Sequence, residues 1–175
     1  MDYFELFQSE KVENAVELMG LDKNQYSYSM KEEDFSALDK LKVAYYSGRD
    51  TEEVCDILKE PTYLISNEIK RLFELYDKSI EYKGVQLFST AGENTKSPLY
   101  WVADFPMPEC MHESSGKYDN GMLKELVLDR KKIRGLDIFR VAGLLEYKII
   151  VSLPVAESLL RRRLYGIGLR KVKVV

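Results

Sequence analysis

Strand-length apolar runs outnumber helical stretches in this chain and do not alternate strictly with them. That pattern disfavours a wound parallel sheet and points to an α+β class, a mixed or antiparallel sheet with a few packed helices. A chain of 175 residues suits a single domain and buries well over half of its unfolded surface without disulfide staples.

Tyr3-Phe4-Glu5-Leu6-Phe7 reads as a short aromatic strand. Val12, Ala15, Val16 and Met19 then recur at i, i+3, i+4, i+7, the spacing of a short helix ending before Gly20. Residues 21–40 are polar and acidic, with Tyr26, Tyr28 and Phe35 scattered among them, and read as loop. Leu41, Val43 and Tyr45 alternate with Lys42 and Ala44, a strand that runs into the turn Ser47-Gly48-Arg49-Asp50. Thr51 to Lys59 reads as a short helix with Thr51 as N-cap, closed by Pro61.

The clearest helix follows. Tyr63-Leu64-Ile65 meets Ser66, an N-cap, and Ile69, Leu72, Phe73 and Tyr76 follow at helical spacing with Glu68 near the positive end of the helix dipole. Val85–Phe88 and Leu99–Val102 are two strands joined by a long loop that contains Gly92, Asn94 and Pro98, and Phe105-Pro106-Met107-Pro108 breaks regular structure. Leu126–Leu128 and Ile138–Phe139 read as a hairpin-like pair around a basic turn. Glu146 to Val151 is a further strand. Ser152 then caps a helix with Pro154 at its second position, lined by Ala156, Leu159, Leu160 and Leu164 and ended by Gly166. The alternation of Ile167 to Val175 slips between Leu169 and Val172, which predicts a bulge or an edge strand. Leu64-Ile65-Ser66 and Ile150-Val151-Ser152 share one strand-to-helix plan; capping chemistry alone would select it twice, and a duplication is the alternative.

The start of the chain is acidic and aromatic, unlike a secretory signal, and no run of about 18 apolar residues exists that would span a membrane. Two cysteines, Cys55 and Cys110, fit a reducing compartment, so the cytoplasm is the expected location. His112 is the one histidine, two residues from Cys110, so an extended segment would put both on one face. No orienting residue accompanies them, and they read as a surface histidine and a half-buried thiol rather than a thiolate–imidazolium pair. A zinc site would need Cys55, Cys110, His112 and a carboxylate with no CxxC or HxxxH pair to preorganise it. Gly166-Ile167-Gly168 is followed by Lys171 where a dinucleotide fingerprint needs its third glycine. No catalytic, cofactor or metal residue is therefore named, and a partner-binding protein is expected rather than an enzyme.

Charge is unevenly distributed. Residues 1–120 hold 13 Lys/Arg against 24 Asp/Glu, whereas residues 121–175 hold 13 against 5. Either one part meets an oppositely charged partner or the two parts face each other within the fold. Arg130, Lys131, Lys132 and Arg134 form one basic cluster and Arg161, Arg162, Arg163, Arg170, Lys171 and Lys173 another. A turn and a helix end are ordinary places for solvated cations, and a pI near 5.4 disfavours nucleic acid as the partner, although a nucleic-acid-binding module using this basic part is the alternative reading. Trp101, the lone tryptophan, reads as core or as an interface anchor, with its half-buried strand favouring core.

Taken in order, Tyr63-Leu64-Ile65-Ser66 with its helix, Leu99-Tyr100-Trp101, Leu126-Val127-Leu128-Asp129 with Lys132-Ile133 and Gly135, Ile138-Phe139-Arg140, and Ile149-Ile150-Val151-Ser152 with the stretch to Gly166 resemble a bacterial family. It is the group of immunity proteins of polymorphic toxin systems long carried as a domain of unknown function. The resemblance covers roughly residues 61–170; residues 1–60 form a variable N-terminal part and 61–175 the family-like part. It implies a small cytoplasmic protein that binds and neutralises a cognate toxin, without a cofactor. Under that implication the acidic N-terminal part would cover a basic toxin site, with Glu32, Glu33 and Asp34 as candidate contacts. Trp101, Arg130, Lys131 and Lys132 complete the candidate set.

Overall fold

Ser66 and Ser152 each end a buried strand and open a helix, and around each junction the chain builds one five-stranded sheet. The computed structural model describes residues 1–49, 52–92 and 97–175. In chain order its elements are β1 (Tyr3–Gln8), α1 (Glu32–Ala37), β2 (Leu41–Tyr46), β3 (Ile57–Leu58), β4 (Leu64–Ser66), α2 (Asn67–Tyr76), β5 (Glu81–Ser89) and β6 (Leu99–Asp104). A small hairpin, β7 (Gly116–Lys117) and β8 (Leu123–Glu125), precedes β9 (Val127–Leu128), β10 (Ile138–Arg140), β11 (Ile149–Ser152), α3 (Leu153–Leu160) and β12 (Ile167–Val174). The class is α+β, mostly sheet, with mixed strand directions, as the pattern of apolar runs predicts.

The two sheets run in the orders β2-β5-β6-β4-β3 and β9-β12-β1-β11-β10, and they match strand for strand. An edge strand lies parallel to its neighbour, β2 on β5 and β9 on β12, and every other pairing is antiparallel. The register matches as well, Ser66 lying opposite Tyr100 and Ser152 opposite Tyr3. Tyr100 donates its hydroxyl to the carbonyl of Cys55, two residues before β3, and Tyr3 donates to that of Leu136, two residues before β10. The N–H of Ser66 reaches the Asp56 carbonyl and that of Ser152 the Asp137 carbonyl, both at 2.8 Å. The shared strand-to-helix plan is thus part of a repeated unit, more than a junction that capping chemistry selects twice. In the second unit the strand equivalent to β6 is β1, from the far end of the sequence.

Strands alternate their side chains between faces, so neighbouring residues enter different cores. Ile65, Trp101, Val151, Phe4 and Leu6 face inward and meet Ile69, Leu72 and Phe73 of α2 and Val155, Ala156 and Leu159 of α3 in one core shared by both sheets. Leu64, Val85, Leu87, Tyr100 and Val102 face the other way and are roofed by Val16, Tyr26, Met30, Phe35 and Leu38. On the second sheet Tyr3, Phe139, Ile150 and Val172 are roofed by Cys110 and Ile133.

Several local expectations give way to sheet pairing. Residues 12–19 are irregular, with Ala15 bridged to Glu53 and Met19 to Tyr45; a stretch this short is a marginal helix, and these two bridges offer its backbone partners elsewhere. The expected loop at 21–40 contains α1. Thr51 and Asn94 lie outside the described residues, and in place of the helix to Lys59 the chain forms β3. Cys55, Ile57 and Leu58 are all buried there, so a strand covered on both faces answers the apolar run. β9 and β10 are not a hairpin, because β9 joins β12 and β10 joins β11.

α3 stops at Leu160, which is exposed, and Gly166 lies beyond it in the turn to β12 with φ +70°. Ser66 Oγ accepts the Ile69 N–H at 3.4 Å, whereas the Ser152 hydroxyl donates to the Asp137 carboxylate. β12 is an interior strand in unbroken register with β1: Leu169 faces the shared core and Val172 the opposite one, so the apparent slip in alternation records a strand whose apolar side chains switch from one core to the other along its length.

Candidate partner-binding surfaces

α1 is held to the first sheet by Phe35, which is buried, and its first turn presents Glu32, Glu33 and Asp34 to solvent. Asp34 also accepts the Lys31 N–H at 3.0 Å, which secures the helix start. Glu32 lines a cleft of about 410 Å³ together with Met30, Asp104, Met107 and Arg140. Arg140 ties this side of the molecule to the second unit: its guanidinium lies 3.8 Å from the Tyr147 ring centroid and donates to the Tyr28 carbonyl at 2.7 Å.

The Asp104 carboxyl is raised from its ordinary value, because burial and the neighbouring Glu32 disfavour its charge, Arg140 pulls the other way, and Glu81 adds to the rise. A carboxyl raised on folding supports the folded state while protonated. That support is complete below the unfolded value and is lost as pH rises through the folded one. Asp104→Asn is therefore expected to raise the melting temperature at pH 7, and the gain should vanish below the unperturbed 3.8, as melting curves across pH will show.

Trp101 lies on the inner face of the first sheet, packed edge-on to Tyr82 with ring centroids 6.5 Å apart, and its Nε1 donates to Asn67 Oδ1 at 3.2 Å. Lys70 Nζ lies 4.7 Å from its ring centroid. Toward β2 this face loses its helical cover. Leu41, Val43 and Tyr45 are 57%, 39% and 46% exposed, and Phe88, which pairs with Tyr45, is 42% exposed. The sequence reading missed this surface. Alternation finds the strand but not which face is covered, and it is Ala44 and Tyr46 that are buried.

Arg130, Lys131 and Lys132 are exposed in the turn after β9, where the Arg130 N–H reaches the Val175 carbonyl at 2.8 Å. Arg130, Lys131 and Arg134 rim a hollow of about 420 Å³ floored by Tyr3 and Ile133, while Lys132 borders a different one beside Glu109 and Met111. The candidate contacts thus occupy three places: α1 outside the first sheet, Trp101 on its inner face, and the basic turn by the roof of the second sheet. No single site brings them together.

Much of the remaining basic charge is used within the fold. Lys148 and Arg170 meet Glu5 at 2.7 and 3.9 Å, Arg170 meets Glu10 at 3.7 Å, and Lys171 meets Asp2 at 2.7 Å. Arg162 donates to the Ser158 carbonyl at 2.7 Å, at the negative end of α3. Acids in and flanking β1 therefore meet Lys148 and the basic residues of β12, and the charge asymmetry of the chain is in part internal.

Cys110 is fully buried, and that burial pushes its thiol up to about 11; Cys55 is treated alike. His112 directs Nδ1 to the Ser114 hydroxyl at 2.8 Å. Among the described residues no group of three or more His, Cys, Asp and Glu is placed to hold a metal, and no helix is long and apolar enough to cross a membrane. Compared with known proteins, the chain matches no family model and no curated protein.

Proposed function

We propose that this protein is a non-enzymatic, immunity-type inhibitor that binds and neutralises a cognate bacterial toxin in the cytoplasm, through its acidic outer layer. The observation that carries this reading is the charge of residues 9–39, which hold 8 carboxylates against 3 lysines, every one of the carboxylates exposed. Clustered like charge opposes folding through self-repulsion, so its benefit lies in what it attracts. A basic, nucleic-acid-directed toxin site is a fitting counterpart, since complementary potentials speed encounter and exclude wrong partners.

The division of labour along the chain supports the same reading. Ser66, Trp101, Ile150 and Gly166, which carry the family resemblance, build strands, junctions and turns of the two sheets. Residues 9–39 lie outside that resemblance and roof the first sheet, where their exposed side chains are free to vary without disturbing either unit.

Identification of the partner by tagged pull-down opens the test. The E32K/E33K variant, which spares the Asp34 cap of α1, is then expected to bind that toxin at least about 100-fold more weakly in low salt and to lose most of the salt dependence of the wild type. Circular dichroism should report an unchanged fold. Undiminished toxin binding by the variant would overturn capping by this layer.

A further inference from the structure

We infer that the free edge of β2 accepts one more strand from a protein partner, an extended segment in which apolar and acidic residues alternate. In the parallel pairing with β5, Gly84 donates to the Lys40 carbonyl and Thr90 to that of Tyr46, so the even-numbered residues of β2 bond inward. Leu41, Val43 and Tyr45 direct their N–H and C=O groups outward. Tyr45 is satisfied by Met19, through two bonds of 2.8 Å, but the chain then turns away at Gly20, with φ +91°. Among the described residues nothing pairs with the outward groups of Leu41 and Val43.

An open edge alone would be a hazard that proteins blunt, and here it coincides with an apolar stripe. An added strand would pair its backbone with Leu41 and Val43, ending where Met19 holds Tyr45, and set its apolar side chains against the margin of the stripe that Tyr45 and Phe88 continue. The repeated unit supplies an internal control. Register equivalence puts Lys171 and Lys173 of the second sheet where Gly84 and Gln86 stand in the first, so the fold tolerates a charged face at these positions. The apolar face beside β2 is therefore not a requirement of the architecture.

Charge selects the occupant. Lys42 lies on the opposite face of β2 between Leu41 and Val43, next to exposed Lys40, and neither makes an ion pair among the described residues. A second copy pairing antiparallel about this point would set Lys42 against Lys42, and like charges directly opposed destabilise a ladder. A strand with a carboxylate at that position gains where the second copy loses. This edge is separate from the acids of α1, so it stands or falls independently of capping by the outer layer.

The probe is a terminally blocked hexapeptide of alternating valine and glutamate, titrated into the isotope-labelled protein and followed by amide shifts. Shifts centred on residues 41–43 are expected, with binding at least about tenfold tighter than for the valine–lysine counterpart. Val43→Pro removes an N–H that points away from β5, so the sheet should persist by circular dichroism while peptide binding falls about tenfold or more. Lys42→Glu should reverse the preference between the two peptides. Absence of binding at millimolar peptide, shifts centred elsewhere, equal affinity for both peptides, or unchanged binding by Val43→Pro overturns the inference. So does a dimer in sedimentation whose dilution moves these same amides, since the occupant is then a second copy.

Discussion

Gly166→Ala is expected to destabilise the protein by about 3 kcal/mol or more, a fall in melting temperature on the order of 10 °C for a chain of this size. Two costs combine. At φ +70° a Cβ is strained whatever the space, which accounts for about 1–2 kcal/mol. A Cβ here would also stand 2.4 Å from Cys55 Sγ and 2.6 Å from Cys55 Cβ, distances at which one of the two backbones must move. Neither is free to do so, because Ser9 donates to the Gly166 carbonyl at 2.8 Å, Asp56 to that of Tyr165 at 2.8 Å, and Tyr100 to that of Cys55. Gly135→Ala is the matched control: φ is +82° but nothing lies within 4 Å, so only the conformational cost of about 1–2 kcal/mol should appear. Thermal melts of the two variants side by side separate strain from collision, and equal losses would show that the approach of Cys55 contributes nothing.

Phe73→Ala should cost about 3–5 kcal/mol, the usual range for emptying a fully buried aromatic position. Phe73 has no exposed surface, lies edge-on to Phe105 with centroids 5.9 Å apart, and belongs to the core that both helices and both sheets share. The manner of unfolding is as informative as the size of the loss. Since α2 of one unit and α3 of the other pack into the same core, the cavity should weaken both sheets together. In denaturant, Trp101 fluorescence reports on the first sheet, and hydrogen exchange at Ile149–Val151 reports on the second. Coincident midpoints, shifted equally by the substitution, are expected; a second sheet that keeps its wild-type midpoint would show that the units stand apart.

What the residues disclose in advance depends on whether a partner is near in sequence. Ser66 and its helix are legible because capping and a 3.6-residue period are local. So are β5 and β6, a hairpin, and the class follows from such elements. Val12–Met19 carries helix-compatible spacing, yet Glu53 and Tyr45, far along the chain, claim its backbone, and Val54–Leu58 carries it too but gives its last two residues to nearby β4 as a strand. The repeat was visible only as two similar junctions, since its proof lies in pairings such as Tyr3 with Ser152 and Tyr3 with Val172. The surface followed the same rule. The acids of α1 are evident as charge, and their exposure follows from their chemistry. The stripe at Leu41, Val43 and Tyr45 is not, because apolar alternation marks a strand without saying that its apolar side lacks a cover.

The order in which the strands leave the ribosome matters for this topology. Residues 41–104 hold all five strands of the first sheet, so that unit can close while the rest of the chain is still being made. Of the described strands β1 emerges first and is completed last, because its neighbours, β11 and β12, follow all the others in sequence. Throughout that interval Tyr3-Phe4-Glu5-Leu6-Phe7 is an aromatic strand with two open edges, the kind of segment that pairs with whatever strand it meets. Translation speed and chaperone access between β6 and β12 should therefore govern the yield of folded protein more strongly than the equilibrium stability of either sheet.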